Sequence, residues 1–450
     1  MSGVDYAYRY EFASSLEPVN DGRLLRLATS GGIEKNPHFF TGRIVNPRVT
    51  CDYLLAVSEV ARTRFYSQNE LRNRLLAADP VVTSGGERLR FESFSACCGV
   101  YARLDLKPEA IDGDWTGRGT TNVDFNQPMR GALAGVLQSE PVGLNVGDQG
   151  VELELEGNTV VEKKVKLPVR WLKGFVEIQA YQSRMKPAFE AKATDLRQLL
   201  RGLGEHKTWQ KGSRAYLVPA GRSVRLSQRE GSAAVAIGAP ARLKFVEPLL
   251  RHAQLVRFYG GEDGVAGIEI ILPHASMHIV LSPDASRGFS GEGQALLHLV
   301  DQSGKELSSR VRSQLKWQAK LDISTLAGTL EAGADAVKKA LDTLGTQGLV
   351  GYDLSESAFF HRELPFDLNI IDDLNPRLKK ARQLLEDGGV RITARSEFKV
   401  EGYVRGTEVE HRVVVDEESR CTCTWYADHG GRRGPCSHVL ALELAVDRDG

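Results

Sequence analysis

Half of the six cysteines in this chain of 450 residues fall within its last thirty. Cys421 and Cys423 form a C-x-C pair, and after twelve intervening residues Cys436 and His438 form C-x-H. Three thiolates and one imidazole make a closed tetrahedral donor set that suits zinc and leaves no position for a reacting water. The expectation is one structural zinc ion per chain. The intervening TWYADHGGRRGP carries Gly430, Gly431, Gly434 and Pro435, which let the chain turn back and join the two halves. Pro435 suits the first turn of a helix, and Val439, Leu442 and Val446 continue along one helical face. Cys436 and His438 would then sit at a helix N-terminus, where the dipole favours thiolate. His429, inside the gap, is a rival fourth ligand. Such a module is expected to fold with little apolar core, zinc taking the place of one.

The elements that must position these ligands read as follows. VRITARSEFKVEGYV and EVEHRVVVD alternate as strands and lead into the first cysteine pair. With the helix behind Pro435 they predict a ββα finger over residues 389–450. Residues 303–388 read as a winged-helix-like segment. Val337, Ala340, Leu341 and Leu344 form a helical stripe, LVGYDLSESAFFHREL predicts a hairpin turning at Ser355–Glu356, and NPRLKKARQLLEDGG a further helix. Residues 205–302 are rich in strands: RAYLVPAG, RSVRLSQ, AAVAIG, GIEIILP and MHIVLSP. Residues 1–204 mix strand candidates, DYAYRYEF and VELELEG, with helices such as TCDYLLAVSEVARTRFYSQNELRNRLL, PVRWLKGFVEIQAYQSRM and ATDLRQLLRGL. The fold class expected is α+β multidomain: N-terminal α/β regions, a winged-helix-like segment and a C-terminal ββα zinc finger.

Charge bounds the partners. Lys plus Arg (58) equal Asp plus Glu (58), so no global pull toward nucleic acid is expected. From Asp322 to Glu363, seven acidic residues face three basic ones, Lys338, Lys339 and Arg362. That balance favours protein contacts over phosphate tracking for the winged segment. Arg420, Arg432 and Arg433 flank the zinc ligands, where they either compensate a net −1 metal centre or contact phosphate. The most basic run is EKKVKLPVRWLKG, with Lys163, Lys164 and Lys166; it reads first as a solvated face, with a nucleic-acid or acidic-partner patch as the alternative.

Other stretches read structurally. Cys97 and Cys98, with Cys51 upstream, are expected as small buried residues in a strand, and GRGTTNVDFN as a structured loop. GFSGEG lacks the Walker lysine and the G-x-G-x-x-G spacing, so nucleotide binding is unsupported. No H-E-x-x-H or G-x-S-x-G is present and no enzyme is expected. No apolar run is long enough to span a bilayer and no secretory signal is evident, which leads to the expectation of a cytoplasmic protein with reduced thiols.

The C-x-C…C-x-H pattern, with WYADHGGRRGPCSHVLAL around it, resembles the SWIM zinc finger. DPVVTSGGERLRFESFSACCGVYARLDL, GRGTTNVDFN, LPVRWLKGFVEIQAYQSRM and GYDLSESAFFHRELPFDL are similar to stretches of long bacterial SWIM proteins. That resemblance implies a zinc-binding protein that contacts DNA or proteins. It also implies partners of the MoxR-type AAA+ ATPase and von Willebrand A classes, encoded beside such proteins.

Overall fold

A computed structural model describes residues 15–19, 22–27, 40–63, 80–115, 117–122, 125, 127–146, 167–203, 214–238, 240–261, 264–284, 287–300, 304–364, 375–396, 399–416 and 418–448. The expected strands DYAYRYEF and VELELEG, and Lys163, Lys164 and Lys166, lie outside them. The described residues mix helices with several sheets.

The main sheet is antiparallel, in the order Lys186–Lys192, Leu255–Gly260, Ala266–Ile271, Ala275–Leu281, Val100–Leu106, Leu89–Phe94, Val81–Ser84, Gly119–Asn122. Strand side chains alternate between faces, and this sheet is covered on both. Ala102 and Leu104, with Met277 and Ile279, join a core that includes Leu54 and Val57 of helix Pro47–Arg62. On the other face Tyr101 packs with Phe94, Trp171 and Phe175, the last two from helix Val169–Gln182. Ala102 pairs with Ile279 across adjacent strands. The sheet therefore crosses the boundary expected between residues 204 and 205, because strand pairing at such separation leaves no local trace in composition.

Two smaller readings change. Gly119–Asn122, expected as loop, is the edge strand beside Val81–Ser84. Cys97 and Cys98 occupy the turn between Leu89–Phe94 and Val100–Leu106 rather than a strand, with Cys98 buried at φ 54°. Burial pushes the Cys98 and Cys51 thiols up to about 12, which keeps them protonated and unreactive.

Helices Lys305–Ser313, Ile323–Leu330 and Ala334–Thr346 precede a hairpin of Val350–Asp353 with Ala358–His361. Asp322 caps the second helix by accepting a bond from Thr325 N at 2.6 Å. Val337, Leu341, Leu344 and Phe359 share its core, and Ser355 and Glu356 form the expected turn.

The C-terminal unit departs from a bare ββα finger. Its sheet has four antiparallel strands, Val390–Arg395, Val400–Arg405, Glu410–Val415 and Arg420–Cys421. The gap between the ligand pairs contains helix Thr424–His429, and helix Ser437–Arg448 follows. Leu378, Ala381 and Leu384 of helix Pro376–Glu386 pack with Val404, Val413, Val439, Leu440 and Leu442, and Leu296 and Val300 join them. The finger thus has an apolar core, contrary to expectation, and that core crosses the boundary drawn at 388–389. An amphipathic helix advertises its apolar face but not which element will cover it.

Among the described residues, no helix is long and apolar enough to cross a membrane.

Candidate metal centre

Each ligand is delivered by a specific local device. Cys421 ends the short strand that pairs with Val413. Cys423 is the N-cap of helix Thr424–His429, and its Sγ accepts the Tyr426 N–H at 3.4 Å. The chain leaves that helix through left-handed Gly430 and Gly431 and reaches Cys436, whose Sγ accepts the Val439 N–H at 3.4 Å in the first turn of helix Ser437–Arg448. His438 lies in that same turn. The four donor atoms, three sulfurs and an imidazole nitrogen, all lie within 4.8 Å of one another, and the four residues are buried. Cys421 Sγ stands 3.8 Å from His438 Nδ1. A tetrahedral zinc with bonds of about 2.3 Å to sulfur and about 2.0 Å to nitrogen spaces its ligand atoms about 3.5–3.8 Å apart. The donor set fits.

Residues 411–447 match the SWIM zinc finger. No curated protein matches the chain. Among solved structures, the proliferating cellular nuclear antigen of Entamoeba histolytica is similar at 8% identity and a TM-score of 0.34, over 55% of this chain and 99% of that one. A likeness that weak supports no statement about fold or function.

The charge state of the SWIM cluster is set by its own contacts. A hydrogen bond from Cys421, with His438 and the Val439 N–H adding to it against burial, lowers the Cys436 thiol. The same bond and burial raise Cys421, and burial raises Cys423. A metal arriving here must displace thiol protons, so its affinity rises with pH.

Around the SWIM ligands the structure sorts the arginines. Arg433 is largely buried against Trp425, its guanidinium 4.6 Å from the ring centroid, and donates to Gly291 O at 3.0 Å. Arg377, which the sequence reading missed, lies 4.7 Å over the same ring and donates to Arg433 O and Pro435 O at 2.9 Å and Glu292 O at 3.0 Å. Its signal was faint: one more basic residue in a helix with several. Arg420 is exposed and paired with Asp416 at 2.5 Å, and Arg432 is exposed with its Nε on His429 O. His429 stays outside the cluster, packed edge-on to Trp425 and 3.3 Å from Arg433 Nη1.

These contacts also dock the SWIM finger on the rest of the chain. Gly434, at φ 78°, lies so close to Gly293 that a Cβ would fall 2.0 Å from its carbonyl oxygen. Gly293 belongs to GFSGEG, the stretch unsupported as a nucleotide loop; it serves here as a close-packed seam. Behind it, Glu177 of helix Val169–Gln182 accepts the Gln294 N–H at 2.8 Å. Burial lifts its carboxyl to about 7 despite that bond and nearby Arg377.

Lys338 pairs with Asp342 at 2.8 Å along helix Ala334–Thr346, and Lys339 on the same helix is exposed. Neither lies at the SWIM site.

A second group, Asp105, His278 and Asp353, also brings ligand atoms within 4.8 Å. Arginines already fill it. Arg90 Nη1 is 2.8 Å from Asp353 and 3.2 Å from Asp105, and Arg103 reaches the same carboxylates at 2.8 and 3.0 Å, all four side chains being buried. Burial opposes ionisation of Asp353, but Arg103 and Arg90 outweigh it and hold the carboxyl well below the usual range. Burial and Arg103 lower His278, which keeps its ring neutral. The group is an ion-pair network joining the main sheet to the 350–361 hairpin.

Proposed function

We propose that this chain is a zinc-stabilised, non-enzymatic adaptor of the cytoplasm that recognises a protein partner through its winged-helix-like unit and finger. The observation that carries the reading is where the basic groups of that unit go. Arg362 is buried and paired with Glu92 at 2.6 Å, and Lys338 is paired with Asp342. Asp322, Glu331, Asp335 and Glu363 are exposed. Such a face repels a phosphate backbone and suits a basic protein surface. Zinc supports this role as a structural tie, since four protein ligands leave no open coordination position.

The partners implied by resemblance, a MoxR-type AAA+ ATPase and a von Willebrand A protein, supply the test. Purified zinc-loaded chain is expected to form a complex with one of them in size-exclusion chromatography. The competing reading, a nucleic-acid-binding protein using the finger and winged helix on DNA or RNA, draws on exposed Arg420 and Arg432. No complex with either protein, together with micromolar duplex binding that weakens steeply with salt, would replace the first reading by the second.

A further inference from the structure

Trp317 stands in the left-handed backbone region at φ 62°, an unfavourable conformation for so bulky a residue. What holds it there is His361, the last residue of strand Ala358–His361. The Trp317 N–H donates to His361 Nδ1 at 2.7 Å, and the indole lies flat on the imidazole with ring centroids 4.4 Å apart. A backbone N–H can only donate, so Nδ1 must carry a lone pair and the proton of the neutral ring sits on Nε2. Nε2 in turn reaches Glu363 Oε1 at 3.2 Å. The tautomer is thus fixed from both sides, on a residue that is 3% exposed. The turn that carries Trp317 also braces the winged-helix-like unit on the main sheet. Ala319 O accepts Arg90 Nη2 at 2.9 Å, and Gly85 lies so close that a Cβ would fall 2.8 Å from Trp317 O.

We propose that His361 is a pH-operated latch: the neutral ring holds residues 314–319 against the main sheet, and uptake of a second proton releases them. That proton can only go to Nδ1, since Nε2 already has one. It turns the acceptor of the Trp317 N–H into a second donor facing it. The stack demands no particular backbone angle, so the indole can stay on the ring while the peptide leaves the left-handed region. The charges around the ring govern when the proton arrives. Glu363 favours the imidazolium. Its bond to His361, with Arg312 of helix Lys305–Ser313 adding to it against burial, holds the Glu363 carboxyl below the usual range, so it stays ionised throughout. Lys316, beside Trp317, is exposed. Arg362 is paired with Glu92, and strand Gly119–Asn122 contributes the uncharged Thr120, whose Oγ1 accepts the Glu363 N–H at 3.1 Å. Histidine ordinarily titrates between about pH 5 and 8, so the latch answers to mild acidification. It stands apart from the protein-contact reading above and can fail or hold without it.

The test is residue-resolved hydrogen exchange of the zinc-loaded full-length chain at about pH 8 and about pH 5.5, corrected for the intrinsic rate, alongside NMR of the histidine ring nitrogens. Protection of the Trp317 amide should fall about tenfold on acidification, the equivalent of one net hydrogen bond. Its midpoint should match the titration of His361 Nδ1. Glu363→Gln keeps an acceptor for Nε2 and removes the charge, so it should move that midpoint to lower pH. The Glu363 side chain is 52% exposed, which spares the fold. His361→Asn, whose Oδ1 takes the place of Nδ1 and does not titrate, should keep Trp317 protected at both pH values. Equal protection of the unaltered chain at both, a midpoint unmoved by Glu363→Gln, or a pH step that survives His361→Asn would each overturn the latch. So would a loss of protection that tracks zinc release, measured on the same samples, instead of the His361 ring.

Discussion

Two buried clusters in this protein bring metal-ligand atoms within the same 4.8 Å, yet only one of them invites a metal. At Cys421, Cys423, Cys436 and His438, no protein cation stands among the donors; Arg377 and Arg433 stay outside, over Trp425. At Asp105, His278 and Asp353, the guanidinium groups of Arg90 and Arg103 already occupy the carboxylate oxygens. The difference shows that proximity of ligand atoms is insufficient. What decides is whether the fold has already supplied the positive charge.

The largest expected effect sharpens that contrast. Cys436→Ser should lose the bound zinc by elemental analysis and open residues 390–448 to protease, while the main sheet keeps its own transition. Structural zinc in isolated fingers contributes on the order of 10 kcal/mol; the apolar core shared with helix Pro376–Glu386 should leave the loss here smaller. The converse change, Asp353→Ala, strands Arg90 and Arg103 opposite Asp105 alone and should cost about 3–5 kcal/mol in denaturant unfolding. Zinc content should stay unchanged, and a lowered content would break the comparison. Since the Asp353 carboxyl is held well below its ordinary 3.8, its contribution persists above that pH and fades only as pH falls further.

Glu177, behind the seam that docks the finger, has the opposite sign. Its folded value of about 7 exceeds the ordinary 4.5, so the folded state binds more protons between those limits. Stability should fall as pH rises from about 4.5 to about 7, and Glu177→Gln should flatten that slope in thermal melts across the range. The smallest effect is expected at the surface. Asp387→Ala removes an exposed pair with Arg405 and should cost only about 0.2–1 kcal/mol, less at high salt.

Much of the candidate site was legible because its information is local. C-x-C and C-x-H, a glycine-rich gap and an apolar helix behind Pro435 lie within one short stretch, and each carries its own geometric instruction. Helix Thr424–His429 was harder to read, since ADHGGRR resembles a turn and only the Cys423 sulfur capping Tyr426 N reveals a helix start. Arg377 was missed because it reaches the site from another element. The hairpin at Ser355–Glu356 was readable from its alternation, but the destination of its charges was not. Asp353 and Arg362 look like surface residues until they meet Arg90, Arg103 and Glu92 across the sheet.

By itself, then, the amino-acid order determined the ligand set, the helix and strand types around it and the acidic balance of residues 322–363. These rest on spacing and composition, which act over a few residues. Tertiary structure alone decided that one sheet spans residues 81–281, that a glycine seam docks the finger, and that one buried cluster is closed by arginines while the other is left to a metal. Those outcomes depend on contacts between residues far apart in the chain, whose energies exist only once the chain has folded.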